Sequence, residues 1–234
     1  MSAGTVVLWR HGRTAYNAAM RLQGQVDIPL DEVGHRQAAT AAAALSATVG
    51  VDGIVVSDLG RARETAAHLA SRTGREAVVD HRLRERAFGE WEGLTGEEIS
   101  ADWAEQFDVW RSGGDPQGVG AETRAQVSER MVAAIEEHAA ALEPTQTLVA
   151  VSHGAAITLA LTGMLGLGLQ WRGIAGLTNA HWAELRRNPP GVEPGWRLFG
   201  HDLGPSTSIA DWNAGTALGA IAAPDRGAGR EVPA

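Results

Sequence analysis

The 234-residue chain has no cysteine. That excludes disulfides, thiolate metal sites and cysteine nucleophiles. Lysine is also missing, so all 20 of its cationic side chains are arginine. No apolar run approaches the roughly 18 residues needed to cross a membrane. The N-terminal residues lack the basic stretch and apolar core of a secretory signal, so the expected location is the cytoplasm. Positive charge is in deficit overall: the formal net charge is -8. A surface for nucleic acid or anionic membrane is therefore not expected, and any anionic ligand must be met by local positive charge.

What is present is a globular composition of a length that suits one domain, expected over residues 1–215, with a helical insertion at about 94–145. From 216 onward a Gly/Ala/Pro mixture reads as a disordered tail. Residues 5–9 are strand formers and read as a buried strand. Strands are also expected at 54–57, 77–79, 148–151, 178–185 and 196–200. Helices are expected at 14–21, 31–48, 58–73, 95–110, 122–142 and 154–165. Asp31 suits an N-cap, Thr95 and Glu98 a capping box, and Gly74 a helix stop. Strands alternating with helices imply an α/β fold, a three-layer αβα sandwich with a mostly parallel central sheet.

The first strand ends on Arg10-His11-Gly12, and the strand at 148–151 runs into Ser152-His153-Gly154. In a parallel sheet both carboxyl ends lie on one edge, where open α/β folds bind their ligands. Arg61 follows the second strand and Glu85 the third, inside an aperiodic, charged and aromatic loop. Two arginines near helix N-termini suit a tetrahedral dianion such as a phosphoryl group. A neutral imidazole can attack phosphorus, and a carboxylic acid can protonate the departing alkoxide. Plainer readings compete. Either histidine can be structural, Arg61 and Arg63 can be solvated helix residues, and Glu85 can pair with Arg82, Arg84 or Arg86. Gln23-Gly24 can be only a turn, and Trp91, Trp103 and Trp110 read as core.

Taken in order, Arg10-His11-Gly12 with Thr14 and Asn17, Gln23-Gly24, Ser57-Asp58-Leu59 with Arg61 and Thr65-Ala66, Leu83-Arg84-Glu85 with Gly89, Trp91, Glu92 and Gly93, and Ser152-His153-Gly154 resemble the histidine phosphatase superfamily, also called phosphoglycerate-mutase-like. The resemblance implies that His11 is a nucleophile forming a phosphohistidine and that Glu85 is the proton donor. It implies that Arg10, Arg61 and His153 clamp the phosphoryl group with help from Asn17. Gln23, Gly24 and Gly154 join the substrate site, Gly12 holds the His11 tautomer through its carbonyl, and neither metal nor cofactor is required. Residues 22–27, 178–182 and 211–214 resemble one branch, the actinobacterial glucosyl-3-phosphoglycerate phosphatase type. That branch implies a homodimer and a small phosphorylated substrate bearing phosphoglycerate. Arg13 stands where many relatives carry glutamate or glutamine. The leading expectation is a phosphomonoesterase. A mutase is the alternative, disfavoured because 94–145 contains no lysine. A non-catalytic phosphate-binding protein on the same fold is a further alternative.

Overall fold

Successive side chains of a strand point to opposite faces, so a strand that is apolar at every position must be covered on both sides. The computed structural model, which describes residues 2–205 and 207–214, places β1 (Thr5–Arg10) in that setting. Val6 and Leu8 face one apolar cluster, Val7 and Trp9 another. The sheet also contains β2 (Gly53–Val56), β3 (Ala77–Val79), β4 (Thr147–Ser152), β5 (Trp182–Arg187) and β6 (Trp196–Leu203), in the order β3-β2-β4-β1-β5-β6. β1 to β4 run parallel; β5 is antiparallel to β1, and β6 to β5.

The short helix α1 (Ala15–Ala18) follows β1. One face of the sheet is covered by α2 (Glu32–Thr48) and α3 (Gly60–Thr73) through Ala41, Leu45, Ala66 and Leu69. Helices α4 (Gly96–Asp102) and α5 (Ala104–Arg111) sit with a separate cluster formed by Phe88, Trp91, Ile99 and Val119. The other sheet face is covered by α6 (Arg124–Ala140) and α7 (Gly154–Met164) through Met131, Ile135, Ile157 and Leu161. The last described element is α8 (Ile209–Ala214), whose Trp212 is buried against the α2/α3 side. The architecture is the three-layer sandwich expected. Within 94–145, α4 and α5 stand apart, while α6 is part of a sheet-covering layer.

Caps behave as the sequence indicates. Asp31 accepts from the Gly34 N–H, Thr95 and Glu98 form a capping box, and Gly74 is left-handed at φ 68°. Three expectations are corrected. The helix expected at 14–21 spans only Ala15–Ala18. The one expected at 95–110 breaks at Trp103 (φ -134°, ψ 44°), which packs against the Trp91 cluster instead of continuing the helix. The strand expected at 178–185 begins only at Trp182, because Ala180 is left-handed (φ 59°) and gives its N–H to the His11 carbonyl. The tail expected from 216 lies outside the described residues.

Candidate active site

Arg10 pairs with Ser152 and Val56 with Val151, so β1, β4 and β2 end level with one another. His11, Ser57 and His153 leave the sheet side by side. The turn after His11 is tight. A Cβ at Gly12 would lie 2.4 Å from the Gly34 carbonyl oxygen of α2, so only glycine lets the backbones meet.

His11 is buried, and its Nδ1 lies 2.6 Å from the Gly12 carbonyl. A carbonyl only accepts, so Nδ1 carries the proton and Nε2 keeps its lone pair. His153 is 5.1 Å away between ring centres. Its Nδ1 accepts from Arg61 Nε at 3.2 Å, which places the ring proton on Nε2, donated to Ser57 Oγ at 2.9 Å. Burial, then the charges of Arg61 and Arg10, hold His11 well below the usual histidine range. His153 is lowered in the same way by burial, Arg61, His11 and Arg10. Both rings are neutral.

Arg61 is fully buried, which removes the solvated reading for it; Arg63 is the exposed one. Its Nη1 and Nη2 donate to the Val26 and Gly24 carbonyls, both at 2.7 Å. Gly24 is left-handed (φ 52°), and a Cβ there would meet Glu92 Oε1 at 2.0 Å. Its part is to present a carbonyl to Arg61, and the Gln23-Gly24 turn is thus built for the site. Arg10 donates through Nη1 to the Leu177 carbonyl, and its buried Nε has no partner among the described residues. Burial lowers the Arg10 pKa, and Glu85 and Asp202 raise it.

Glu85 is not a surface ion pair. Its Oε1 accepts from the Arg86 and Ala156 N–H groups, both at 2.8 Å, and its Oε2 from Ala155 N–H at 3.1 Å. The carboxyl group thus sits on the first turn of α7. The flanking arginines go elsewhere: Arg82 to Asp80, Arg84 to Asp58 and Arg86 to Asp115. Burial, followed by the charge of Glu85, dominates the Arg61 environment, which places that carboxylate near the clamp.

Asn17 Oδ1 caps α1 by accepting from Thr14 and also accepts from Asn179 Nδ2 at 3.1 Å. Its own Nδ2 has no partner among the described residues. Gln23 is buried and accepts from the Thr14 hydroxyl at 2.9 Å. A Cβ at Gly154 would stand 3.5 Å from the Arg10 guanidinium carbon. Arg13 turns away from the site to Asp31 and the Asn213 carbonyl. Three residues outside the expected set support the site. Ser57 holds His153, and Asn179 holds the His11 carbonyl at 3.2 Å. Arg130 of α6 grips the carbonyls of Arg82, Arg84 and Glu85 at 2.7, 2.7 and 3.0 Å. Among the described residues no group of three or more His, Asp or Glu is placed to hold a metal ion.

The arrangement offers a neutral nitrogen nucleophile between two guanidiniums, with a carboxyl group on the same edge. The chain is similar to known proteins. The family model of the histidine phosphatase superfamily (branch 1) matches residues 6–194. A glucosyl-3-phosphoglycerate phosphatase of Mycobacterium tuberculosis is 39% identical over 193 residues, covering 79% of this chain and 86% of that protein. A probable phosphoglycerate mutase of Serratia proteamaculans is 35% identical over 198 residues, covering 82% and 89%. A solved structure of a mycobacterial glucosyl-3-phosphoglycerate phosphatase complexed with VO3 superposes with a TM-score of 0.75 at 36% identity, covering 86% of this chain and 99% of that one.

Proposed function

The chain belongs to the histidine phosphatase superfamily, and from that premise we propose that it is a metal-independent phosphomonoesterase working through a phosphohistidine. Its substrate is a small phosphorylated metabolite of the glucosyl-3-phosphoglycerate class. The single observation that carries the reading is His11, neutral and fixed through Nδ1, with Nε2 free between Arg10 and Arg61. Nε2 attacks phosphorus, and the P–O bond to the leaving group breaks. Glu85 gives its proton to the departing oxygen, so an alcohol leaves instead of an alkoxide. Water then attacks the phosphohistidine, Glu85 takes a proton from it, and phosphate departs. The guanidiniums of Arg10 and Arg61 hold the equatorial oxygens through both steps.

The substrate class is supported by the names of the mycobacterial relatives. The mutase reading has support in the Serratia name; the lysine-free stretch at 94–145 favours hydrolysis. The proposal includes a homodimer acting in the cytoplasm without nucleic acid or membrane. No helix among the described residues is long and apolar enough to span a bilayer.

The test is phosphate release from p-nitrophenyl phosphate and from glucosyl-3-phosphoglycerate, with and without EDTA. Wild type turns over both, and EDTA leaves the rate intact. His11→Ala loses at least about 1,000-fold. Activity that survives in His11→Ala refutes the covalent route. Isomerisation of 3-phosphoglycerate faster than phosphate release makes the enzyme a mutase.

A further inference from the structure

Phosphoryl transfer does not account for the cavity beside the catalytic edge. It has a volume of about 490 Å³, and its floor is the first turn of α7, with Gly154, Ala155 and Thr158. These residues belong to both sites: Gly154 lies against the Arg10 guanidinium, and the Ala155 N–H donates to Glu85. The cavity therefore adjoins both Arg10 and Glu85.

Its walls carry Arg86, Arg124 and Arg172. Arg86 is buried and paired with Asp115 at 2.8 Å; the same Asp115 oxygen accepts from the Arg124 backbone N–H. The other acid nearby, Glu122, is taken by Arg130 at 2.8 Å. Arg124 donates through Nε to the Leu169 carbonyl, and Arg172 through Nη1 to the Arg111 carbonyl. Neither guanidinium has a carboxylate partner among the described residues. Burial lowers the Arg124 pKa, and the like charges of Arg86 and Arg172 lower it further, against Asp115 alone. Three guanidiniums beside the single carboxylate of Asp115, with Glu122 taken by Arg130, make a local positive excess in a chain of net charge -8. An anion would relieve it. The remaining wall is aromatic, with Phe88, Trp110 and the half-exposed Trp171.

We propose that this cavity receives the leaving group, with Arg124 and Arg172 reading a carboxylate on it and Trp171 packing against an uncharged body such as a sugar ring. This rests on the phosphatase reading, which places the phosphoryl group in the inner clamp. A planar guanidinium fork matches the two oxygens of a carboxylate. The cavity exceeds what a carboxylate fills, and an aromatic face suits the C–H face of a sugar.

The test compares 3-phosphoglycerate with glycerol 3-phosphate, which differs by replacement of the carboxylate with a hydroxymethyl group. Wild type prefers 3-phosphoglycerate. Arg124→Ala and Arg172→Ala each lower the ratio of the two kcat/KM values about tenfold, through KM. Arg172→Lys recovers part of the ratio. Arg172 is exposed, so its variants keep the fold. An unmoved ratio in Arg172→Ala, or an equal fall for both substrates, overturns the proposal. The phosphatase reading stands or falls separately, on p-nitrophenyl phosphate and glucosyl-3-phosphoglycerate; a phosphatase can leave both small esters unhydrolysed. Calorimetric titration of wild type and Arg172→Ala with both ligands then decides the carboxylate site. A selective loss of 3-phosphoglycerate affinity supports it, and equal affinities overturn it.

Discussion

His11 and His153 face each other at 5.1 Å between Arg10 and Arg61. A histidine in water titrates near about pH 6.5; burial and the two guanidiniums hold both of these far lower. The acid limb of kcat/KM set by the nucleophile therefore falls below that value. The same shift bears on stability. Below about pH 6.5 the unfolded chain binds protons that the folded one refuses, so stability is complete above that pH and declines as pH falls. The slope is about 1.4 kcal/mol per pH unit for each histidine. Urea unfolding measured from pH 7 to 5 should show the decline, and His11→Gln should remove about half of it. A midpoint independent of pH over that range refutes the neutral pair. For the acid, Glu85→Gln slows hydrolysis of alkyl phosphates by about 100-fold or more. p-Nitrophenyl phosphate is affected less, because its leaving group departs without a proton. Equal losses on the two substrates would remove Glu85 from the proton-donor role.

Between residues and fold stands a group of elements that ties the chain's end to its catalytic turn. Trp212 of α8 donates through Nε1 to the Asn179 carbonyl at 2.8 Å, and Gln37 of α2 donates to the Trp212 carbonyl at 3.0 Å. Asn179 in turn holds the His11 carbonyl and Asn17. Trp212→Ala therefore reaches the site through Asn179. It costs about 3 kcal/mol of stability and lowers kcat at temperatures where the variant remains folded. Asn179→Ala lowers kcat with a smaller stability loss, and a kcat equal to wild type in both variants would reduce α8 to packing. This is also where the sequence was least legible. Residues 178–185 read as a strand, but Asn179 and Ala180 bond to the turn after β1, and Ala180 is left-handed there. The break at Trp103 has no glycine or proline to announce it; burial of the indole against the Trp91 cluster outweighs helix continuity. Parallel strands put every strand-end residue on one edge, which brought His11, Arg61 and His153 together, and the resemblance of their motifs supplied the clamp roles. Arg130 was not legible, because a cation on a long helix looks solvated until the loop at 82–85 is seen beneath it.

At the scale of the molecule, the catalytic groups come from segments far apart in the chain: the end of β1, the start of α3, the loop at 82–85 and the start of α7. In the proposed site an oxyanion bonds to Arg10 and Arg61 at once, groups from distant segments, and so binds only the folded chain. Ligand at about 100 times its Kd adds about 2.7 kcal/mol, which for a domain of this size raises Tm by about 5–10 °C. Orthovanadate, a tetrahedral oxyanion that accepts an imidazole nitrogen as a further ligand, should give this shift in thermal unfolding and inhibit phosphate release over the same concentrations. EDTA should leave both effects in place, because the proposed site holds the anion with guanidiniums. Arg61→Ala should abolish the shift: it removes the one cation that bonds the Gly24 turn, the His153 ring and the anion together. A vanadate shift retained in Arg61→Ala would place the anion elsewhere on the molecule, and the clamp formed by Arg10, His11, Arg61 and His153 would then have to be rejected as the binding site.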